Sequence, residues 1–380
     1  LTTHNSIGGA MKAVILVGGL GTRLRPLTCN TPKPMIPLVN QPFIEHMLEK
    51  LRDQGIDEAI LAVQYLADRF REALGDGERL GMRVHIVEEP EPRGTAGAVK
   101  NVEHMLDGTT FVFNGDVLTD LDLRAMLAYH RERGSKLTIA LTPVEDPTAF
   151  GLVETDAEGR IRRFIEKPNR DEVTTDMINA GTYLIEPEIF RYVPPAQHYM
   201  FERGLFPVVL QTGDPMYGYP SRAYWTDVGK PSTYLEVHHD ILIGKVRYRF
   251  RGRQIADRVW LEDGAAIHDS AQIVGPVVLG PDVRLERGAR IIGPTVIGAR
   301  CVIGKDVTIE GAVLWEDNEI AEGASLRSCV VGRGNRIGAK AHIADGTIIS
   351  DGCIIGAENR LEHGIRLWPA TELKDHAITF

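Results

Sequence analysis

A six-residue repeat of aliphatic side chains constrains the C-terminal third of this chain more than any other feature of the sequence. A period of six fits neither an α-helix nor a plain β-strand. It suits a triangular solenoid, in which each hexad forms one short strand and one corner and points its aliphatic side chain inward. The repeat slips near residues 327–336 and then resumes. The repeated positions are Ile267, Ile273, Leu279, Leu285, Ile291, Ile297, Ile303 and Ile309, then Ile337, Ile343, Ile349, Ile355, Leu361 and Leu367.

The repeat resembles that of the hexapeptide-repeat, left-handed parallel β-helix family over roughly residues 255–370. The resemblance specifies a fold and says little about chemistry. Two functions for this part of the chain stay open. One is an acyltransferase that uses His342 or His363 in a β-helix groove. The other, which we favour, is a structural module for oligomerisation or allosteric control.

Length and composition indicate a two-domain globular protein. The chain has 380 residues, a net charge of −9, 43% hydrophobic and 25% charged residues, which excludes a largely disordered protein and argues against a general nucleic-acid binder. It contains no run of about 18 apolar residues and no signal-peptide pattern, so we expect a soluble, cytoplasmic protein without a membrane partner. The four cysteines lack CxxC spacing, so they imply neither zinc nor disulfides.

The pattern of elements divides the chain into segments. Residues 1–10 are expected to be an expression remnant before Met11. Residues 11–240 alternate apolar strands with amphipathic helices, which predicts a Rossmann-like, mostly parallel sheet that binds ligands at the carboxyl ends of its strands. Residues 241–254 form a basic linker, residues 255–370 the β-helix and residues 371–380 a C-terminal tail. Because a solenoid stacks mainly on itself, a chain ending near residue 250 is expected to fold and bind nucleotide but to assemble differently.

The first loop of the α/β domain combines glycines with basic residues. It reads GGLGTRLRPLT over residues 18–28 and is followed by PKP over residues 32–34. Glycines let backbone N–H groups approach a phosphate chain, and Arg23, Arg25 and Lys33 supply positive charge. Leu24 occupies the third glycine position of a dinucleotide fingerprint, and no G-K-[ST] follows, so the loop is neither a Rossmann fingerprint nor a P-loop.

With further motifs, this loop resembles the signature of the sugar-1-phosphate nucleotidyltransferases over most of residues 11–240. The resemblance implies a transfer of a nucleotidyl group from a nucleoside triphosphate to a sugar 1-phosphate, with release of pyrophosphate. The further motifs are Asn114-Gly115-Asp116, Phe150-Gly151, Glu166-Lys167-Pro168, Asn179-Ala180-Gly181 and Trp225-Thr226-Asp227-Val228-Gly229.

The resemblance also assigns roles to individual residues. The catalytic residues implied are Arg23, Lys33, Asp116 and Asp227, of which the two aspartates would hold Mg²⁺. The nucleotide-binding residues implied are Leu16, Gly18, Gly19, Gly21, Thr22, Arg23, Glu89, Gly94 and Thr95. The sugar-phosphate-binding residues implied are Gly151, Glu166, Lys167 and Asn179.

Base selection is assigned to the acidic segment that precedes Gly94. Relatives specific for uracil or thymine carry a glutamine at the position of Glu89, whereas a carboxylate can accept both adjacent donors of guanine. Glu89, with Glu91 as the second candidate, therefore predicts GTP, and the segment resembles that of GDP-mannose pyrophosphorylases. The alternatives are a plain acidic surface loop, a thymidylyl- or adenylyltransferase acting on glucose 1-phosphate, and an inactive regulatory subunit. We expect GTP and mannose 1-phosphate as substrates and a homo-oligomer, although the sequence does not determine the sugar.

Overall fold

A computed structural model describes residues 11–379. The predicted expression remnant, residues 1–10, lies outside the described residues. Up to residue 243, the helices are α1 Phe43–Asp53, α2 Ala67–Leu74, α3 Gly94–Asn101, α4 Leu123–Glu132, α5 Phe206–Thr212 and α6 Pro231–Leu242. The strands are β1 Met11–Val17, β2 Pro37–Leu38, β3 Gln41–Pro42, β4 Ile56–Val63, β5 Arg83–Glu88, β6 Thr110–Asn114, β7 Val117–Thr119, β8 Leu137–Pro143, β9 Gly151–Thr155, β10 Ile161–Glu166, β11 Met177–Ile185, β12 Met216–Pro220 and β13 Trp225–Asp227.

The described chain separates into two compact units. The first, here called the α/β unit, contains the described residues up to Gly19 together with Ile44–Trp225. The second, the β-helix unit, contains Leu20–Phe43 and the residues from Thr226 onward. We call Leu20–Phe43 the loop segment. No helix in residues 11–379 is long and apolar enough to cross a membrane.

A nine-stranded sheet forms the centre of the α/β unit. Its strands run in the order β10-β9-β11-β6-β1-β4-β5, and β8 pairs with both β11 and β12. Strands β6, β1, β4 and β5 are mutually parallel, whereas β11 runs antiparallel to β6 and β8. Ala13, Val14 and Ile15 of β1 are fully buried, as expected of a parallel strand covered on both faces. The predicted Rossmann-like α/β domain is confirmed.

The parallel strands bring four sequence segments to one edge of this sheet. Val17 pairs with Val63, and Val63 pairs with Glu88, so β1, β4 and β5 end level with one another. On the other side of β1, Leu16 pairs with Asn114 at the end of β6. Ligands of open α/β sheets bind at this carboxyl edge. The residues that follow these four strands therefore line the candidate site.

The C-terminal part is a parallel β-helix, as predicted. Its strands form three sheets, in the orders β14-β15-β18-β21-β24-β27-β30-β33, β16-β19-β22-β25-β28-β31-β34 and β17-β20-β23-β26-β29-β32. The strands are β14 Arg253–Ala256, β15 Val259–Leu261, β16 Ala266–Ile267, β17 Gln272–Val274, β18 Val277–Leu279, β19 Arg284–Leu285, β20 Arg290–Ile292, β21 Thr295–Ile297, β22 Val302–Ile303, β23 Thr308–Glu310, β24 Val313–Leu314, β25 Glu319–Ile320, β26 Ser325–Arg327, β27 Val330–Val331, β28 Arg336–Ile337, β29 His342–Ile343, β30 Ile348–Ile349, β31 Ile354–Ile355, β32 Arg360–Leu361, β33 Arg366–Leu367 and β34 Glu372–Leu373.

The repeated aliphatic positions fill the interior of the solenoid. Most of them, and the corner residue Cys301, belong to one continuous buried core. Two coils are one residue shorter than the others, because Val296 pairs with Val313 and Val313 pairs with Val330. The second shortened coil overlaps the predicted slip. The first, which is shortened between Ile309 and Leu314, was missed.

One sheet of the β-helix has an apolar outer face. The outward side chains of five successive strands, Val278, Val296, Val313, Val330 and Ile348, are all at most 3% exposed, whereas Arg366 on the next strand is exposed. A β-helix needs only its inward residues to be apolar, so an aliphatic outer face indicates a second packed layer. Within the β-helix unit, helix α6 packs against β21 of this sheet.

An interior repeat position tests this core. We expect Ile309→Ala to lower the free energy of unfolding by about 2–5 kcal/mol, because it leaves a cavity at a fully buried site. The matched control is Ile354→Ala, since Ile354 is 44% exposed on the same solenoid, and it should change stability by less than about 1 kcal/mol. Urea denaturation measures both. Equal losses would contradict the assignment of inward and outward positions.

Candidate functional site

Glu89 lies at the carboxyl edge of the sheet and is only 5% exposed. Its backbone N–H donates to the carbonyl of Val63 at 2.8 Å. Its carboxylate oxygen Oε2 accepts from the side-chain amide of Gln64 at 3.1 Å and from the backbone N–H of Arg93 at 3.2 Å. The side chain is therefore buried and held in one orientation, which differs from a plain acidic surface loop. Glu91 is exposed.

Close packing at this edge requires Gly115, because a Cβ there would lie 2.8 Å from the backbone carbonyl oxygen of Leu16. A Cβ on Gly18 would lie 2.6 Å from the end of the Gln64 side chain, which would have to move. The N–H of Gly115 also donates to the carbonyl of Leu16 at 3.0 Å. These contacts keep the end of β1 close to the Asn114-Gly115-Asp116 turn, where Asp116 is half-buried. Gly19 has no such crowding, so its backbone stays accessible to a ligand.

Gly94 and Thr95 open helix α3 and contact the segment around Tyr199. A Cβ on Gly94 would lie 2.8 Å from the carbonyl oxygen of Tyr199. The hydroxyl of Thr95 accepts from the N–H of Phe201 at 2.8 Å and donates to Glu202 at 3.4 Å. The side chain of Thr95 thus orders the neighbouring segment, and the start of α3 offers backbone N–H groups to a ligand.

The predicted sugar-phosphate residues cluster on β9, β10 and the turn after β10. Gly151 and Glu166 are paired across the two strands, and a Cβ on Gly151 would lie 3.2 Å from the Glu166 carboxylate. Lys167 has a positive φ of 52°, and its backbone N–H donates to the carbonyl of Phe150 at 2.9 Å. The strained backbone turns Lys167 away from the strand direction, which is frequent at ligand sites.

Asn179 lies at an irregularity of β11, where the register with β8 shifts between Asn179 and Tyr183. Its amide donates to the Tyr183 hydroxyl at 2.9 Å, and its Oδ1 accepts from the N–H of Gly181 at 3.0 Å. The indole of Trp225 donates to the carbonyl of Ala180 at 2.9 Å. Such bulges re-aim side chains beside functional sites.

In the β-helix unit, Asp227 lies between the two predicted catalytic cations. The ammonium of Lys33 is 3.4 Å from one carboxylate oxygen, and the guanidinium of Arg23 is 3.8 Å from the other. Lys33 is buried, whereas the Arg23 side chain is 73% exposed. A Cβ on Gly229 would lie 3.2 Å from the Asp227 carboxylate, so this glycine leaves room around it. The structure thus brings Arg23, Lys33 and Asp227 together.

Gly21 shapes the loop that carries these cations. It has a positive φ of 60° and precedes the 3₁₀ turn Thr22–Leu24. Its carbonyl accepts from the Thr28 hydroxyl at 2.7 Å, and its Cα hydrogen faces Lys33 and Thr28, where a Cβ would lie 3.1 Å from Lys33. A non-glycine residue here would strain the backbone and crowd Lys33.

Comparison with known proteins identifies the α/β part. Residues 12–243 match the family described as nucleotidyl transferase, which covers more than half of the chain. The chain belongs to the nucleotidyl transferase family. Residues 256–361 of this nucleotidyltransferase match the left-handed β-helix domain described for the EIF2B epsilon subunit, which agrees with the predicted β-helix.

Several relatives of this nucleotidyltransferase have named activities. It is 39% identical to a mannose-1-phosphate guanylyltransferase of Mycobacterium tuberculosis, over 77% of this chain and 82% of the relative. It is 34% identical to a UTP–glucose-1-phosphate uridylyltransferase of Synechocystis, over 93% and 97%. The solved structure of HddC from Yersinia pseudotuberculosis complexed with GMP-PN is 30% identical, with a TM-score of 0.52, over 60% of this chain and 97% of that one.

Two residues that the sequence analysis missed lie among the predicted site residues. Gln64 directly follows β4 and contacts Glu89. Glu202 lies on the π-helical turn Phe201–Leu205 and accepts from Thr95. Burial raises the pKa of Glu202, with a further contribution from Glu166. Gln64 carries a weak signal, since it ends a buried strand, whereas no local pattern marks Glu202.

The two histidines considered for acyl transfer lie on the solenoid surface. His342 is 3.0 Å from Glu362, which also pairs with Arg360. The side chain of His363 is 83% exposed and 4.0 Å from Asp345. These are ordinary contacts between polar side chains at the surface. They add no support to a second active site on this nucleotidyltransferase.

Proposed function

We propose that this protein transfers a guanylyl group from GTP to mannose 1-phosphate, forming GDP-mannose and pyrophosphate. The observation that carries the base assignment is the buried Glu89 carboxylate at the carboxyl edge of the sheet. Both of its observed donors engage Oε2, and in the proposal Oε1 accepts from guanine. The relatives named as mannose-1-phosphate guanylyltransferases support the sugar.

The reaction needs alignment and charge screening more than acid–base catalysis. The phosphate oxygen of the sugar 1-phosphate is already anionic, so it attacks the α-phosphorus without a general base. A new oxygen–phosphorus bond forms while the bond between the α-phosphorus and the bridging oxygen breaks. The electron pair leaves with pyrophosphate. The protein must bring two polyanions together in line and stabilise the departing charge.

The basic residues are assigned along this path. In the proposal, Arg23 stabilises charge on the pyrophosphate and Lys33 neutralises the α-phosphate. Their contacts to Asp227 pre-orient both side chains. Lys167 binds the phosphate of the incoming sugar 1-phosphate. Glu166 accepts hydrogen bonds from the sugar hydroxyls, and Asn179 donates to them.

Magnesium fits the residues that the family resemblance assigns to it. The two carboxylates are hard oxygen donors, and Mg²⁺ is commonly bound by one or two carboxylates together with substrate phosphates. The phosphates of the substrates would complete the coordination of the ion. We propose that Asp116 and Asp227 hold the ion, which when bound supplies charge screening between the phosphates.

A second candidate is uridylyl transfer to glucose 1-phosphate. The relative named as a UTP–glucose-1-phosphate uridylyltransferase favours it. The amide of Gln64 beside Glu89 also provides a donor and an acceptor, which is what uracil recognition requires.

A substrate matrix distinguishes the two candidates. GTP, UTP, dTTP and ATP are each combined with mannose 1-phosphate and glucose 1-phosphate, and pyrophosphate release is measured in Mg²⁺. We expect the highest kcat/KM for GTP with mannose 1-phosphate. A preference for UTP with glucose 1-phosphate would establish the second candidate, and turnover of no pair would contradict nucleotidyl transfer itself.

We further propose a cytoplasmic homo-oligomer. We assign assembly to the long regular solenoid, whose two other sheets carry outward strand residues such as Arg284 on one sheet and Arg290 on the other. Size-exclusion chromatography with light scattering measures the number of subunits.

A further inference from the structure

The loop segment is bound to the β-helix through its main chain. The hydroxyl of Ser350 donates to the carbonyl of Pro26 at 2.8 Å. The guanidinium of Arg366 donates to the carbonyl of Arg25 at 3.3 Å, and the amide of Asn40 donates to the carbonyl of Ile297 at 3.0 Å. All three β-helix residues belong to, or directly follow, strands of the sheet with the apolar outer face.

Ser350 is a polar exception beside this apolar face. It directly follows β30, whose outward residue Ile348 is buried, and it is itself only 1% exposed. A serine hydroxyl has a single proton to donate, and here it goes to the loop carbonyl. Pro26 contributes no backbone donor, so its carbonyl is its only main-chain polar group. The same carbonyl also accepts from the N–H of Cys29 at 3.2 Å, so the Ser350 hydroxyl adds a second hydrogen bond that ties this one loop position to the β-helix.

The other end of the loop segment is held by α6 and its neighbours. The N–H of Val39 donates to Nε2 of His238 at 3.1 Å, and the hydroxyl of Tyr248 donates to the carbonyl of Leu38 at 2.8 Å. Burial lowers the pKa of His238 to about 4, so its Nε2 remains an acceptor at neutral pH. The indole of Trp315 in the β-helix donates to the hydroxyl of Tyr234 in α6 at 2.9 Å.

The catalytic cations lie within or next to the stretch held in this way. Lys33 lies between the contacts at Arg25–Pro26 and those at Leu38–Val39, and Arg23 lies two residues before the first of them. Connecting loops are more mobile than the helices and strands that they join, so the order of this loop must be supplied by its surroundings. The β-helix supplies that order at Arg25–Pro26, and at the other end it contributes the Asn40–Ile297 contact beside those of α6 and Tyr248.

We infer that the β-helix positions the nucleotide-binding loop, with Ser350 and Arg366 as positioning residues for Arg23 and Lys33. The inference rests on the proposed function and deepens it. Neither residue touches substrate; each acts by fixing the main chain that carries the catalytic cations. A displacement of about 1 Å at such groups can cost as much as a hundredfold in rate. The inference also changes what we expect of a chain that ends near residue 250. Such a chain would lack these contacts, so we now expect it to bind GTP poorly.

The test compares Ser350→Ala and Arg366→Ala with two matched controls on other sheets of the same solenoid, Ser325→Ala and Arg284→Ala. We expect kcat/KM for GTP to fall about tenfold in each loop-contact variant and to change less than about twofold in the controls. Hydrogen–deuterium exchange should increase in peptides covering residues 20–31 for the loop-contact variants only. If Ser350→Ala fails to fold, Arg366→Ala still decides the question, because the Arg366 side chain is exposed.

A double-substitution experiment separates positioning from general structural damage. In an Arg23→Ala background, Ser350→Ala should lower kcat/KM by clearly less than tenfold, since one of the groups that it positions is already missing. Unchanged GTP kinetics and unchanged exchange in both loop-contact variants would overturn the inference, as would the same loss in both backgrounds. A failure of the proposed function is distinguishable, because it would appear as absent turnover in the wild type, while the exchange measurement still reports on the loop.

Discussion

Asp227→Ala is expected to lower kcat by about 10²–10³-fold, the range found when one preorganised electrostatic group is removed from an active site. Asp227 has two roles in the proposal. It contributes a carboxylate to Mg²⁺, and it orients the ammonium of Lys33 and the guanidinium of Arg23, at 3.4 and 3.8 Å. Without it, Lys33 remains a buried cation that has lost a carboxylate partner. Steady-state pyrophosphate release with GTP and mannose 1-phosphate measures the loss.

Asp116→Ala is expected to lower kcat by a similar factor, because it removes a carboxylate that holds Mg²⁺ in the proposal. The matched control is Asp57→Ala, since Asp57 is exposed near the amino end of β4, at the edge of the sheet opposite to the site. This control should retain wild-type kcat. Raising the Mg²⁺ concentration should recover part of the activity of the aspartate variants if they bind the ion weakly. Near-normal activity of either aspartate variant at low Mg²⁺ would show that the two-carboxylate assignment is wrong.

Glu89→Gln is expected to lower kcat/KM for GTP by roughly tenfold to a few hundredfold, because a charge-assisted hydrogen bond is worth about 1.5–3 kcal/mol and about 1.4 kcal/mol is tenfold. The structure determines how the new amide would sit. Gln64 and the N–H of Arg93 both donate to Oε2, so the amide oxygen takes that position. The NH₂ group then replaces Oε1 and meets a guanine donor instead of accepting from it.

The same substitution should raise the use of UTP or dTTP relative to GTP, since these bases present an acceptor beside a donor. KM for mannose 1-phosphate should stay unchanged. Glu91→Gln is the control, because Glu91 is exposed, and it should leave the base preference as in the wild type. If the preference for GTP survives Glu89→Gln, the base is selected by another group, with Gln64 the first to examine.

Local patterns in the sequence were sufficient to predict the β-helix and the parallel strands. A six-residue period has few structural solutions, and the short apolar run that contains Ala13–Ile15 and ends in glycines favours a strand buried on both faces. The glycines of the signature loop were also predictable. A positive φ of 60° at Gly21 strongly favours glycine. This requirement is imposed by the local backbone and leaves a direct trace in the sequence.

Only the tertiary structure decided which distant residues act together. The contacts of Glu202 with Thr95 and of Ser350 with Pro26 join residues far apart along the chain, and a single glutamate or serine carries no signal of such a partner. The grouping of the loop segment with the β-helix was equally hidden, because sequence order places that segment inside the α/β domain. Side-chain partners and domain membership depend on how the whole chain packs. Local propensity, which acts over a few residues, cannot encode them.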